Sequence, residues 1–163
     1  MSLATLQCRA LNGMTAPPVT VEVHLAAGLP AFTLVGLPET EVKEARDRVR
    51  AAIQNSRFEF PARRITVNLA PADLPKESGR FDLAIALGIL AASGQVKADR
   101  LDDFEFAGEL SLSGELRAIR GALAMCGEAA GSRRAFVLPA ANAAAVGEPE
   151  RRDVRTERIV RPD

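Results

Sequence analysis

Apolar and polar residues alternate along two stretches near the start of the chain, residues 5–11 and 19–25. A period of two is typical of a β-strand with one buried and one solvated face. A Pro-Pro pair at 17–18 lies between the two runs and indicates a turn. A further apolar run, residues 31–35, follows Gly-Leu-Pro at 28–30. The pattern therefore predicts an antiparallel meander of three strands.

After position 39 the spacing of apolar residues changes from two to three and four. The recurring apolar positions are Val42, Ala45, Val49, Ala52 and Ile53. This spacing predicts an amphipathic helix over residues 43–55, with Thr40 as its N-cap and its apolar face packed on a sheet. Residues 64–69 alternate again and predict a fourth strand, which a loop containing Pro and Gly follows over 70–79.

Residues 81–93 are apolar on nearly every side, which predicts a helix buried between the sheet and another element. The next pattern favours a β-hairpin over 104–110 and 115–116, with its turn at Ser113-Gly114. A helix, a strand and a short helix are then predicted over 122–130, 135–138 and 140–146.

The predicted order of elements, β-β-β-α-β-α-β-β-α-β, fits neither a doubly wound sheet nor a helical bundle. It predicts an α+β fold with a mixed β-sheet and helices mainly on one face. We expect one domain over residues 1–147. Residues 148–163 hold five Arg and five acidic residues, and they predict a solvated connector or a weak terminal strand near 154–160.

Composition narrows the function classes. The 163 residues hold 21 basic and 21 acidic side chains, so the whole chain lacks the basic excess that phosphate neutralisation favours. Seven Phe without Trp or Tyr argue against a platform that stacks bases. Two cysteines and one histidine provide no disulfide framework and no His-rich metal site. The apolar runs are too short to span a membrane, and the start lacks a signal-peptide pattern. We therefore expect a cytoplasmic protein without a membrane partner.

Nucleotide-binding motifs are also missing. No Gly is followed by Lys, so the phosphate loop G-x-x-x-x-G-K-[ST] is absent, and so is G-x-G-x-x-G. We expect no cofactor in this chain. The loop before the apolar helix carries Lys76 and Arg80, which form a candidate anion site beside a helix start. The alternative is that these residues cap the helix and form surface ion pairs. Asp82 either benefits from the helix dipole or pairs with Arg80 or Lys76.

A second candidate surface lies in residues 43–64, which hold seven basic and three acidic residues, a net charge of +4. Its candidate DNA or interface contacts are Arg46, Arg50, Arg63 and Arg64. The alternative is a solvated helix face with pairs such as Glu44–Arg48.

Three other residues have a plain interpretation. His24 is predicted to lie on the polar face of its strand, at the surface. Cys8 and Cys126 are predicted to be small buried apolar side chains.

Three segments resemble the N-terminal domain of the ComM/YifB family, also called magnesium chelatase-related. They are G-L-P-E-T-E-V-K-E-A-R-D-R-V-R-A-A-I at 36–53, N-L-A-P-A-D-L-P-K-E-S-G-R-F-D-L at 68–83 and G-E-L-S-L-S-G-E-L-R at 108–117. The resemblance implies a Lon protease-like fold, of the type of ribosomal protein S5 domain 2. Family members continue into a AAA+ ATPase module with ATP and Mg²⁺, and this chain is expected to be the N-terminal domain alone.

The resemblance also implies partners and a role. Full-length members resemble hexameric helicases that promote branch migration of DNA during natural transformation. We therefore expect contacts with the ATPase module and with sister subunits, and weak contact with DNA, because six copies of a weak patch act together in a ring.

Lon proteases carry a catalytic Ser in P-K-D-G-P-S-A-G and a catalytic Lys in G-G-L-K. Alignment on Pro75-Lys76 places Arg80, or Phe81 after a shift by one, at the serine position, and Leu123 at the lysine position. A Ser–Lys dyad needs an amine to accept the hydroxyl proton, and we expect this chain to be non-catalytic. The alternatives are a divergent peptidase that uses Ser78 and a pure protein-interaction or oligomerisation domain.

Overall fold

Three helices are interspersed among nine strands in the residues that the computed structural model describes, 2–76, 79–142 and 153–156. The strands are β1 (Ser2–Arg9), β2 (Pro18–Ala26), β3 (Ala31–Val35), β4 (Arg64–Ala70), β5 (Phe104–Phe106), β6 (Glu109–Leu110), β7 (Leu116–Arg117), β8 (Ala135–Pro139) and β9 (Asp153–Thr156). The helices are α1 (Glu39–Asn55), α2 (Asp82–Ala92) and α3 (Ala122–Ala129). The predicted α+β class with a mixed sheet is confirmed.

The main sheet has the strand order β3-β4-β2-β1-β5-β8-β9. β2 pairs antiparallel with β1 and β4, whereas β3 pairs parallel with β4. The predicted three-strand meander is therefore wrong in its third strand, which lies beside β4 rather than β2. The reason is the connection: β3 leads through α1 to β4, and a helical crossover returns the chain parallel to its starting strand.

Helices α1 and α2 cover one face of this sheet. Side chains of β2 at alternate positions from Val19 to Leu25 are buried beneath them. α2 is buried almost all round, as predicted, and a Cβ on its Gly88 would lie 2.5 Å from Val23 Cγ2 and 3.1 Å from Leu6 Cδ1. This glycine therefore allows α2 to lie directly on β1 and β2.

The start of α1 differs from the prediction. The helix begins at Glu39, Pro38 is its N-cap residue, and no side chain caps it, so the assignment of Thr40 as the cap is wrong. Proline suits a helix start because its fixed φ is compatible with the first turn and its missing N–H is not needed there. The predicted apolar face is confirmed, since Ala45, Val49 and Ala52 are buried.

The opposite face of the sheet carries polar side chains. His24 lies there, half-buried, between Leu3 of β1 and Thr66 of β4 in the register. Cys8 points to the helix side and is fully buried, as predicted. Cys126 on α3 is only half-buried, although it packs against the core.

The last third of the chain follows the predicted elements with two differences. The run 104–110 divides into β5, which joins the main sheet, and β6, which forms the hairpin with β7. Residues Ala140–Asn142 form a single 3₁₀ turn, while 143–146 lie outside the described residues. β9 coincides with the beginning of the predicted terminal strand, and 157–160 again lie outside the described residues.

No helix in the described part of the chain has the length and apolar character needed to cross a membrane.

Candidate functional site

Among the described residues, one group of arginines is paired with carboxylates. Arg9 Nε lies 2.7 Å from Glu105 Oε2, and Arg48 Nε lies 2.7 Å from Asp82 Oδ2. Arg100 pairs with Asp103 at 3.0 Å on the surface. The charges of these three arginines are compensated by carboxylates of the same domain. We therefore assign them a structural role.

The second group has no carboxylate of the described residues within ion-pair distance and includes Arg46 and Arg50. Arg46 Nη1 donates a hydrogen bond to the backbone oxygen of Phe32 at 3.1 Å. The Arg50 guanidinium lies 4.6 Å from the centroid of the Phe60 ring, and the Phe60 and Phe32 rings are 5.5 Å apart. Both guanidinium groups are therefore held in place by neutral partners and keep an uncompensated positive charge.

Arg63 and Arg64 also lack a described carboxylate partner, but the structure separates them. Arg63 lines an open groove of about 740 Å³ together with Glu59 and the end of α2. Arg64 is on the opposite face of the sheet, because it occupies the same alternating positions as the polar Thr66 and is out of phase with buried Ile65. The structure thus brings Arg46 and Arg50 together, places Arg63 beside the end of α2 and places Arg64 on the polar face of the sheet.

Lys76 and Arg80 are inside the domain, with exposed fractions of 2% and 3%. The Lys76 ammonium donates to the backbone oxygens of Pro71 and of Leu74, the latter at 3.1 Å, and burial lowers its pKa. Arg80 Nη1 donates to the backbone oxygen of Arg120 at 3.2 Å. Neither residue therefore lies at the surface, where the alternative placed them. That they bind an anion remains a prediction, from a loop whose Glu77 and Ser78 lie outside the described residues.

Asp82 accepts hydrogen bonds from Arg48 and from the Leu110 backbone N–H, the latter at 3.1 Å. Its predicted pairing with Arg80 or Lys76 is wrong. Burial raises the pKa of Asp82 to about 7, against the opposing effect of the Arg48 charge. The predicted Glu44–Arg48 pair is confirmed at 3.6 Å. Sequence reasoning missed the link between Arg48 and Asp82, because 34 residues separate the partners and no local pattern connects them.

The positions that the Lon resemblance assigns to catalysis lie in different environments. Arg80 and Phe81 are buried at the start of α2, whereas the Leu123 side chain on α3 is 65% exposed. Within the described residues, no group of three or more His, Cys, Asp or Glu side chains could hold a metal ion.

Comparison with known proteins identifies the family. A protein-family model described as "Subunit ChlI of Mg-chelatase" matches residues 21–142. YifB of Salmonella typhimurium is 57% identical over 147 residues, which cover 90% of this chain and 29% of YifB. Competence protein ComM of Haemophilus influenzae is 58% identical over 143 residues, which cover 88% of this chain and 28% of ComM.

A more distant relative is Rv2897c of Mycobacterium tuberculosis, 40% identical over 123 residues. The chain thus spans under a third of the length of the curated relatives it matches. The family-model match covers most of the chain, and the high identities agree with it. The chain therefore belongs to the magnesium chelatase-related family that includes YifB and ComM.

Proposed function

We propose that this chain is a non-catalytic domain of a cytoplasmic ComM-type AAA+ ATPase that acts on branched DNA. In this role it supports assembly of a ring of subunits and contributes a weak contact to the DNA backbone, while ATP and Mg²⁺ bind in the ATPase module. The similarity to ComM over most of the chain supports the family part of the proposal.

The observation that carries the DNA contact is the division between paired and uncompensated arginines. Arg46 and Arg50 are held by a carbonyl and a ring instead of a carboxylate, so a phosphate would not have to displace an internal ion pair. Phe60 lies beneath Arg50 and is only partly exposed, which favours contact with phosphates over stacking on bases. Arg63 adds a third positive charge to this candidate DNA-contact surface.

The same geometry narrows the set of candidate DNA-contact residues. Arg64 is on the other face of the sheet, and Lys76 and Arg80 are buried and bonded to backbone oxygens. We therefore assign the contact to Arg46, Arg50 and Arg63. Two or three contacts per subunit give weak binding alone, and a ring multiplies them.

The non-catalytic part of the proposal is supported by the residues at the positions of the Lon dyad. A buried arginine cannot supply a nucleophilic hydroxyl, and an exposed leucine cannot accept its proton. We expect no hydrolysis of casein by the domain, and no change when Ser78 is replaced by Ala.

Fluorescence anisotropy with branched and single-stranded DNA, at low and moderate salt, tests the DNA contact. We expect binding at low salt that weakens steeply as salt rises. Arg50→Ala/Arg63→Ala should reduce the slope of log affinity against log salt by about one to two, since each lost phosphate contact accounts for roughly 0.7–0.9.

The matched control is Arg100→Ala/Arg117→Ala, which removes the same formal charge from exposed positions outside the candidate surface. Equal effects of the two double variants would show that binding follows bulk charge and not this surface. No binding at low salt by folded wild-type protein would contradict the DNA contact and favour a pure interaction domain.

A further inference from the structure

β3 is the outer strand at one end of the main sheet in the described part of the chain. Its backbone groups alternate in direction. The Ala31 N–H bonds to the Arg63 oxygen at 3.2 Å, so Ala31 faces β4. The Phe32 backbone oxygen instead accepts a hydrogen bond from Arg46 on α1, so the backbone N–H and C=O of Phe32 point away from β4. Because backbone direction alternates along a strand, the N–H and C=O of Leu34 also point away from β4.

This edge has the composition that favours addition of another strand. Its sequence, A-F-T-L-V, contains β-branched and aromatic residues and neither charge nor proline. Natural sheets commonly protect such an edge with a charged side chain or a covering element. Here Arg46 Nη1 donates to the outward Phe32 oxygen at 3.1 Å, so it occupies the acceptor that the N–H of an added strand would need.

The edge is also self-complementary. If a second copy approached antiparallel with Thr33 facing Thr33, each outward Phe32 would lie opposite the outward Leu34 of the other copy. Residues that face each other with outward groups form the hydrogen-bonded pairs of an antiparallel ladder. The exposed positions beside the pairing line, Ala31, Thr33 and Val35, carry no charge to oppose the approach.

We propose that the outer edge of β3 is able to pair with a second copy of this chain, and that Arg46 prevents this pairing in the wild-type protein by binding the Phe32 carbonyl. Arg46 is thus a specificity-determining residue that keeps the edge unpaired. This inference rests on the backbone geometry of β3 and does not require DNA binding, although it assigns a further role to one residue of the proposed DNA contact.

Sedimentation equilibrium of the full chain compares wild type with Arg46→Ala, Arg46→Gln and Arg50→Ala. We expect Arg46→Ala to self-associate at least tenfold more tightly than wild type. Glutamine keeps an N–H donor for the Phe32 oxygen without the charge, so Arg46→Gln should stay closer to wild type. Arg50→Ala should match wild type in self-association while weakening DNA binding, which separates the two roles.

Thr33→Lys in the Arg46→Ala background provides the site control. Thr33 is exposed, and the substitution places like charges opposite each other across the expected pairing line, so association should return to the wild-type level. Precipitation of Arg46→Ala that Thr33→Lys prevents would equally support the proposal. Unchanged association of folded Arg46→Ala, or association that persists with Thr33→Lys, would overturn it.

Hydrogen exchange provides a readout that does not depend on any variant. In the monomer, the amides of Phe32 and Leu34 should exchange faster than those of Thr33 and Val35, which face β4. In associated Arg46→Ala the Leu34 amide should become protected. Strong protection of Leu34 in monomeric wild type would show that the edge is already covered, and it would overturn the proposal.

Discussion

Individual buried charges show how this small domain keeps polar side chains inside. Lys76 bonds to backbone oxygens of its own loop, Arg80 bonds to an oxygen from the segment before α3, and Arg48 joins Asp82. An unpaired charge in the interior would cost several kcal/mol, so each one needs such partners. These residues connect segments that are distant in sequence, which explains why a loop pattern could not separate them from surface charges.

The Arg48–Asp82 ion pair allows a prediction of how much one buried pair contributes to the free energy of unfolding, and of how that contribution depends on pH. Asp82→Ala leaves the Arg48 guanidinium and the Leu110 N–H without their acceptor, so the free energy of unfolding should fall by about 3–5 kcal/mol. Asp82→Asn keeps an acceptor and avoids burial of a carboxylate charge, so it should cost less than about 1 kcal/mol at pH 7.5. Urea unfolding measures both. The exposed-pair variant Asp103→Ala should cost less than about 1 kcal/mol.

The pH dependence of Asp82 follows from its raised pKa of about 7, which lies above the ordinary aspartate pKa of 3.8. Between these values the folded state binds the proton more strongly than the unfolded state, so stability falls as pH rises through this window. Relative to Asp82→Asn, wild type should therefore lose stability between pH 4 and 7. A wild-type advantage that grows with pH would show that the Arg48 charge outweighs the burial.

The two cysteines should differ in reactivity. Burial raises the pKa of Cys8 to about 12, and the thiolate is the reactive form. Cys126 is half-buried on α3. We expect Ellman's reagent to modify one thiol in native protein and two in guanidinium, and to modify none in native Cys126→Ser. Rapid modification of both native thiols would contradict the buried position of Cys8.

At the scale of elements, periodicity predicts whether a segment forms a strand or a helix, but it does not always predict which strand pairs with which. The alternation of 19–25 and the apolar character of 81–93 follow directly from which faces are buried. Adjacency in sequence predicts β3 beside β2. Its true partner depends on where α1 returns the chain, which the alternation within β3 does not encode.

Two helical glycines allow a matched test of packing against helix propensity. Gly88→Ala gains about 1 kcal/mol of propensity, but its Cβ meets Val23 and Leu6, and overpacking typically costs about 1–3 kcal/mol. A Cβ at Gly127 on α3 meets nothing within 4 Å. Denaturant unfolding should show Gly88→Ala destabilised and Gly127→Ala unchanged or more stable by up to about 1 kcal/mol. Stabilisation by Gly88→Ala would mean that α2 moves away from the sheet at little cost.

At the scale of the whole molecule, the candidate site was predictable in composition but not in arrangement. The net charge of +4 over residues 43–64 is read directly from the sequence, and Arg46, Arg50, Arg63 and Arg64, which have no carboxylate partner among the described residues, lie in this segment. Arg64 lies on the polar face of β4, whereas Arg63 precedes the strand and lines the groove beside the end of α2. Arg48 forms an ion pair with Asp82. Only the folded arrangement shows which arginines remain available.

The seven-stranded sheet also consists of two parts that meet between β1 and β5. The backbone register joins these strands through Gln7 and Glu105, and Arg9 reinforces the junction with a bidentate contact to the Glu105 carboxylate. Glu105→Ala leaves the buried Arg9 charge largely uncompensated, which should cost about 3–5 kcal/mol. By hydrogen exchange, β8 should lose protection before β2 in this variant, while Asp103→Ala should leave both unchanged. Equal loss of protection in β2 and β8 would show that the sheet opens as one cooperative unit, with Arg9–Glu105 contributing to overall stability instead of holding its two parts together.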